Sequence, residues 1–96
     1  GMLGLEPEIA QDVVYGDRRP HIVALIVPQP DTATEHVAQA VERVNARLSA
    51  LERVRRFALA PEGFTIANGM LTPTLKTRRG VIIERYRDVL EGLYRG

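Results

Sequence analysis

Ile22 to Val27 is an unbroken apolar, largely β-branched run between the turn residues ahead of His21 and the proline at Pro28. Such a run, closed by turn residues, predicts a central strand buried on both faces. Ahead of it, Ile9-Ala10 and Val13 to Tyr15 lead into Gly16-Asp17-Arg18-Arg19-Pro20, a turn by composition. Val13–Tyr15 is therefore the first arm of a hairpin whose second arm is the central strand. Beyond Pro28-Gln29-Pro30, Asp31 and Thr32 offer N-cap oxygens, and Glu35 stands three residues after Thr32 in a capping-box arrangement. Val37, Val41, Val44 and Leu48 then recur at helical spacing, which predicts a helix with one apolar stripe ending near Ser49 or Ala50. Val54 to Leu59 predicts a third strand with Arg55 or Arg56 on its wet side, closed by Pro61-Glu62-Gly63. Arg78 to Tyr94 reads as a final helix with Ile82, Tyr86, Val89, Leu90 and Leu93 as its buried stripe.

Between the third strand and that helix, Phe64 to Thr77 keeps no period. Its apolar anchors (Phe64, Ile66, Met70, Leu71, Leu75) argue for an ordered loop, and loops of this length in small domains are usually functional or disordered. Asn68-Gly69 is most simply a turn with positive φ at Gly69. The order strand, strand, helix, strand, loop, helix predicts an α+β fold. A small three-stranded sheet, made of the N-terminal hairpin and a third strand, packs against two helices, with a long ordered loop before the last one.

Composition narrows the function more than the fold. A chain of 96 residues makes one domain with one modest core. The absence of Cys excludes disulfide scaffolds, zinc knuckles and thiol catalysis. A net charge of +1 supplies no global field for nucleic acid or anionic lipid. The longest apolar run is too short to span a bilayer, and no secretory signal opens the chain, so a cytoplasmic location is expected. The 13 basic residues comprise 12 Arg and one Lys, Lys76. A GC-rich genome explains the Arg excess. Where Lys survives that bias, a compact ammonium is a candidate requirement that a planar guanidinium does not meet.

Taken singly, the candidate sites have plain readings. Thr72 to Lys76 (Thr-Pro-Thr-Leu-Lys) precedes a helix, where backbone N–H groups and threonine hydroxyls can hold an anion. On local pattern alone, a solvated lysine on a surface loop is the simpler reading. Arg53, Arg55, Arg56, Arg78 and Arg79 invite an RNA-binding reading, but no aromatic residues interleave with them for base stacking. His21 reads as a strand-edge residue and His36 as a helix-surface residue, without a metal-ligand pattern between them.

The assembled pattern is more specific. Asn68-Gly69-Met70-Leu71-Thr72-Pro73-Thr74-Leu75-Lys76-Thr77-Arg78-Arg79, followed by Ile82 to Tyr86 and Leu93-Tyr94, closely resembles the C-terminal end of long-chain acyl-CoA synthetases, members of the adenylate-forming ligases. Upstream, Ile9 to Asp17 and Ala24 to Pro28 resemble the hairpin of that family, and Val54 to Phe64 fits as well, so the resemblance covers about Ile9 to Tyr94. It implies that residues 1–96 form a C-terminal lid domain over a much larger N-terminal adenylation domain. It implies that Lys76 is the catalytic lysine of adenylation, placed by Gly69, Thr72, Thr74 and Thr77. It also implies ATP, Mg2+ and coenzyme A as cofactors of the full-length enzyme, with fatty acid as substrate. No metal ligand set and no nucleic acid partner is implied for this chain.

The phosphate loop, the acidic and aromatic ATP motifs, the hinge and the glycine-containing segment of the family do not occur here. The isolated chain is therefore expected to bind none of these ligands tightly and to be inactive alone. Met70, Leu71 and Leu75 are expected on an apolar docking face, with self-association of the isolated domain as a consequence. Peripheral membrane association is an expectation for the full-length enzyme only. The alternative is a stand-alone α+β interaction or regulatory module that kept the lid fold without catalysis.

Overall fold

The unbroken apolar run forms β2 (Ile22–Pro28). In the computed structural model, which describes residues 1–95, β2 is the middle strand of a three-stranded sheet ordered β1-β2-β3. β1 (Ile9–Tyr15) pairs with it antiparallel, Val13 opposite Leu25 and Tyr15 opposite Val23. β3 (Val54–Leu59) pairs with it in parallel, with Phe57 beside Ala24. Side chains alternate between faces along a strand, so β2 must be apolar at every position only if both faces are covered. They are. Ala24 and Ile26 pack under Val37, Ala40, Val41 and Val44 of α1 (Thr34–Asn45), together with Ile9, Val54 and Leu3 of a short 3-10 turn. Val23, Leu25 and Val27 face the opposite layer with Val13, Phe64 and Met70. That layer is closed by Ile82, Ile83 and Tyr86 of α2 (Arg79–Arg85) and its end, and by Leu90 of α3 (Arg87–Gly92). The α+β fold is thus built as three layers on a mixed sheet.

Four local expectations are corrected. β1 begins at Ile9 rather than Val13. A register irregularity between Ile9 and Gln11, and the polar pair Gln11-Asp12, interrupt the alternation that marks a strand. The capping box does not form. Asp31 takes a positive φ of 61° and Thr32 N–H donates to Gln29 C=O, so the helix starts at Thr34 with Ala33 as an N-cap that has no side-chain bond. α1 also ends at Asn45, before Ser49, because the bonds that follow shorten to Arg47 N–H···O=C Val44 and Leu48 N–H···O=C Asn45.

The last helix is two helices. The backbone at Tyr86 (φ −109°, ψ 18°) leaves helical geometry while its ring enters the core. The buried stripe is narrower than its spacing predicts: Ile82, Ile83, Tyr86 and Leu90 face inward, Val89 faces solvent and Leu93 is half-buried.

The predicted hairpin turn needs its glycine. Gly16 has φ 154°, and a Cβ there would come within 2.8 Å of the His21 carbonyl oxygen. This turn is clasped to the chain end. Glu91 accepts hydrogen bonds from Tyr15 and Arg19, the Arg19 guanidinium lies 4.2 Å over the Tyr94 ring, and Tyr94 Oη donates to His21 C=O at 2.8 Å. His21 stacks on Tyr94 with centroids 4.9 Å apart, beside the strand it precedes, and His36 is exposed on α1.

Candidate functional site

The loop between β3 and α2 is ordered by two anchors and one polar hub. Phe64 and Met70 are both core residues. Between them, Asn68 Oδ1 accepts from the N–H groups of Thr65 (3.0 Å) and Met70 (3.1 Å), its Nδ2 donates to Gly63 C=O at 2.8 Å, and its own N–H donates to Thr65 Oγ1. An asparagine that closes its own turn in this way is the reason such residues favour loops. Gly69 takes φ 80°, as the Asn-Gly pair predicts.

From Leu71 the chain folds back on itself. Leu71 and Thr77 form an isolated antiparallel bridge, Thr72 N–H donates to Lys76 C=O at 2.8 Å, and Leu75 N–H donates to Thr72 C=O at 2.8 Å. Pro73 occupies the second position of this turn, where its fixed φ is pre-set. Leu75 reaches the left-handed region at φ 66°. The Thr72 hydroxyl accepts from Lys76 N–H at 3.1 Å and meets the Thr74 hydroxyl at 3.1 Å. Thr72, Thr74, Lys76 and Thr77 therefore lie together on one small hairpin, with Gly69 in the turn that feeds it.

The N–H groups of Thr72, Leu75 and Lys76 are turned inward to close the hairpin. Lys76 carries the charge of that hairpin. That side chain is exposed and its ammonium has no hydrogen bond or ion pair among the described residues. The docking-face expectation is corrected in part: Met70 is 1% exposed and belongs to the core, Leu71 is half-buried, and Leu75 is 67% exposed. Ile66 and Val81 add to the exposed apolar surface, and Met70, Gly80 and Val81 line a shallow groove of about 450 Å³ beside it.

Sequence reasoning did not mark Gln11 as a residue of interest, and it marked Leu75 for its apolar side chain but not for its backbone. Gln11 carries no local signal, because its partner is 53 residues away. Leu75 hides because nothing in a leucine announces a left-handed backbone.

The remaining basic residues do not converge. Arg55 and Arg56 are exposed on β3, whereas Arg78 and Arg79 reach back to the carbonyls of Gly69 (3.4 Å) and Val14 (2.6 Å). Among the described residues, no three His, Asp or Glu lie together as metal ligands, so this chain does not offer a protein cage for Mg2+. No helix of the described residues is long and apolar enough to cross a membrane.

Known proteins share this arrangement. The chain is 33% identical over 116 aligned residues to the long-chain-fatty-acid–CoA ligase FadD15 of Mycobacterium tuberculosis, covering 96% of the chain and 19% of that protein. Two solved structures superpose closely. The adenylation domain of a carboxylate reductase from Mycobacterium chelonae gives a TM-score of 0.86 at 27% identity, covering 99% of this chain and 17% of that one. The A-PCP didomain of carboxylic acid reductase from Segniliparus rugosus, in complex with AMP, gives 0.85 at 30%, covering 97% and 15%. The chain spans about a fifth or less of the length of these relatives. Residues 2–96 match the family described as the AMP-binding enzyme C-terminal domain. That match, with 33% identity to a relative over 96% of the chain, makes this chain a member of that family, the C-terminal domains of adenylate-forming enzymes.

Proposed function

We propose that this chain is the lid of an ATP-dependent fatty acyl-CoA ligase, working over a large N-terminal adenylation domain, and that Lys76 is its adenylation lysine. The observation that carries the reading is the state of Lys76. It is the one lysine of the chain, and it is held on a hairpin closed by its own backbone bonds, with its ammonium left unengaged among the described residues. Adenylation joins two anions, a carboxylate and the α-phosphate of ATP, and charge builds on the phosphoryl oxygens as they react. A flexible ammonium can sit among those oxygens, and removing such a group costs about 10²–10³ in rate.

Thr72, Thr74 and Thr77 hold the hairpin that presents it, and Gly69 makes the turn. Leu75, Ile66 and the groove at Val81 supply the surface that meets the large domain. Mg2+ would ride on the nucleotide and the large domain, which hold the phosphates it bridges. Rotation of the lid then clears Lys76 from the site so that coenzyme A can attack the acyl-adenylate.

A second reading keeps the lid and the lysine but replaces the coenzyme A ligase by a carboxylate-reducing enzyme. The likeness to two carboxylate reductase adenylation domains favours it. Release of acyl-CoA by the parent enzyme separates the two. For the lysine itself, Lys76→Ala in the parent enzyme should slow acyl-adenylate formation about 10²-fold or more and leave thioester formation from pre-made acyl-adenylate largely intact. The same change should alter the melting of the isolated domain by no more than about 0.5 kcal/mol, as at other exposed sites. Equal slowing of both half-reactions, or loss of the fold, refutes the assignment. The isolated chain should give no oleate-dependent pyrophosphate exchange.

A further inference from the structure

The Lys76 hairpin hangs from one strand at both ends. On the entering side, the Gln11 amide in β1 makes both backbone bonds of Phe64: Nε2 donates to Phe64 C=O at 3.0 Å, and Phe64 N–H donates to Oε1 at 2.8 Å. From there the connection is continuous. Thr65 C=O accepts from Met70 and Leu71, and Leu71 bridges Thr77 next to the lysine. On the leaving side, Arg79 Nη2 donates to Val14 C=O of the same strand at 2.6 Å. Gln11 and Val14 are three residues apart on β1, whereas Phe64 and Arg79 are fifteen apart, so β1 draws the two ends of the loop together.

We infer that Gln11 and Arg79 are positioning residues for the reaction, setting where Lys76 stands. The inference rests on the reading of Lys76 as the adenylation lysine. The rest of the molecule supports a tether rather than a binding role. Gln11 is half-buried, and its amide oxygen and nitrogen are both engaged by the backbone of Phe64, which ties the side chain to the loop. Among the described residues of the hairpin region, Arg79 is the basic residue that donates to the sheet, through Nη2. Its arm must cross from the hairpin base to β1, which a shorter or uncharged side chain does not do with the same strength. Without these tethers, the hairpin keeps its internal bonds and its core anchors Phe64 and Met70 but loses the two side-chain bonds that fix its direction against β1. A displacement of about 1 Å at a catalytic group is enough to cost about 10²-fold.

The test uses Gln11→Met, which keeps length and volume without the amide, and Arg79→Met, at an exposed site, in the full-length adenylating enzyme. Both should slow acyl-adenylate formation about ten- to a hundredfold with the KM for ATP unchanged, and both should leave the thioester half-reaction within twofold. In a Lys76→Ala background neither should slow adenylation further, because each acts through the lysine. Arg79→Lys should restore part of the loss. Adenylation within twofold of the parent for both variants overturns the inference, as does a further loss on top of Lys76→Ala. A raised KM for ATP in Arg79→Met overturns it for Arg79, since the guanidinium would then touch nucleotide itself. Lys76→Ala alone, run beside them, separates the two claims. If it slows adenylation while the tether variants do not, only the positioning inference falls; if it leaves adenylation unchanged, the reading of the lysine falls first.

Discussion

Asn45, the last residue of α1, holds Val54, the first residue of β3, at both backbone groups: Nδ2 donates to Val54 C=O at 2.8 Å and Oδ1 accepts Val54 N–H at 2.9 Å. The side-chain amide stands in for a neighbouring strand at the edge of the sheet and sets where the crossover from β2 through α1 re-enters it. Asn45→Ala leaves both groups of a buried residue unpaired and should cost about 1–3 kcal/mol. Asn45→Asp keeps the acceptor and loses the donor, so it should fall between the two. Urea titrations of the isolated domain at constant m-value measure this, and an Ala variant as stable as the parent would show that water replaces the amide without penalty.

Tyr86 should be better as phenylalanine. Its hydroxyl is buried without a hydrogen-bond partner among the described residues, although the ring fills the core where α2 meets α3. Removing an unsatisfied buried hydroxyl while keeping the ring should stabilise the domain by about 1 kcal/mol. For a domain of this size that is roughly 4–8 °C in melting temperature. A destabilised Tyr86→Phe domain would mean that the hydroxyl is bonded in solution.

Leu75 adds little to the stability of the fold. Its left-handed backbone costs about 1–2 kcal/mol for a residue with a Cβ, and its side chain is largely in water. In Leu75→Gly the relief of that strain is offset by the greater freedom of glycine in the unfolded chain, worth about 0.4–1 kcal/mol. The net change should stay within about 1 kcal/mol, far below the 2–5 kcal/mol typical of truncating a core leucine. Thermal melts decide it, and a core-sized loss would place the Leu75 side chain under cover in solution.

Asp12 gives stability an acid-side signature. Burial on the α1 face of β1 pushes its carboxyl above the ordinary aspartate value, and the positive N-terminus offsets that only in part. A raised carboxyl binds its proton more readily in the folded state. Its contribution therefore lowers stability as pH climbs out of the ordinary aspartate range through the raised value. Asp12→Asn should raise the melting temperature at pH 7, and the gain should vanish as the solution becomes acid enough to protonate Asp12. Glu8 runs the other way. Its hydrogen bond from Arg43 holds its carboxyl below the usual range, so its contribution is present at neutral pH and lost as pH falls through that lowered value. A gain from Asp12→Asn that is the same at every pH would exclude a charge effect.

Much of this was legible along the chain, for local reasons. β2 is written as an unbroken apolar run because both of its faces are covered. β3 is read to its ends, Val54 and Leu59, because Pro61-Glu62-Gly63 closes it just beyond. The turn at Asn68-Gly69 and the lysine of Thr-Pro-Thr-Leu-Lys stand out because single residues carry their meaning. Only the tertiary structure decided the rest. The parallel seat of β3, the break at Tyr86, the left-handed Leu75 and the grip of Gln11 on Phe64 all depend on partners far away in sequence. A glutamine, a tyrosine or a leucine has the same local propensity whether or not such a partner is waiting. Periodicity records which face of an element is buried, but not what buries it. The order of the layers and the direction in which Lys76 points therefore come from packing, where non-local contacts outweigh the small preferences of each residue.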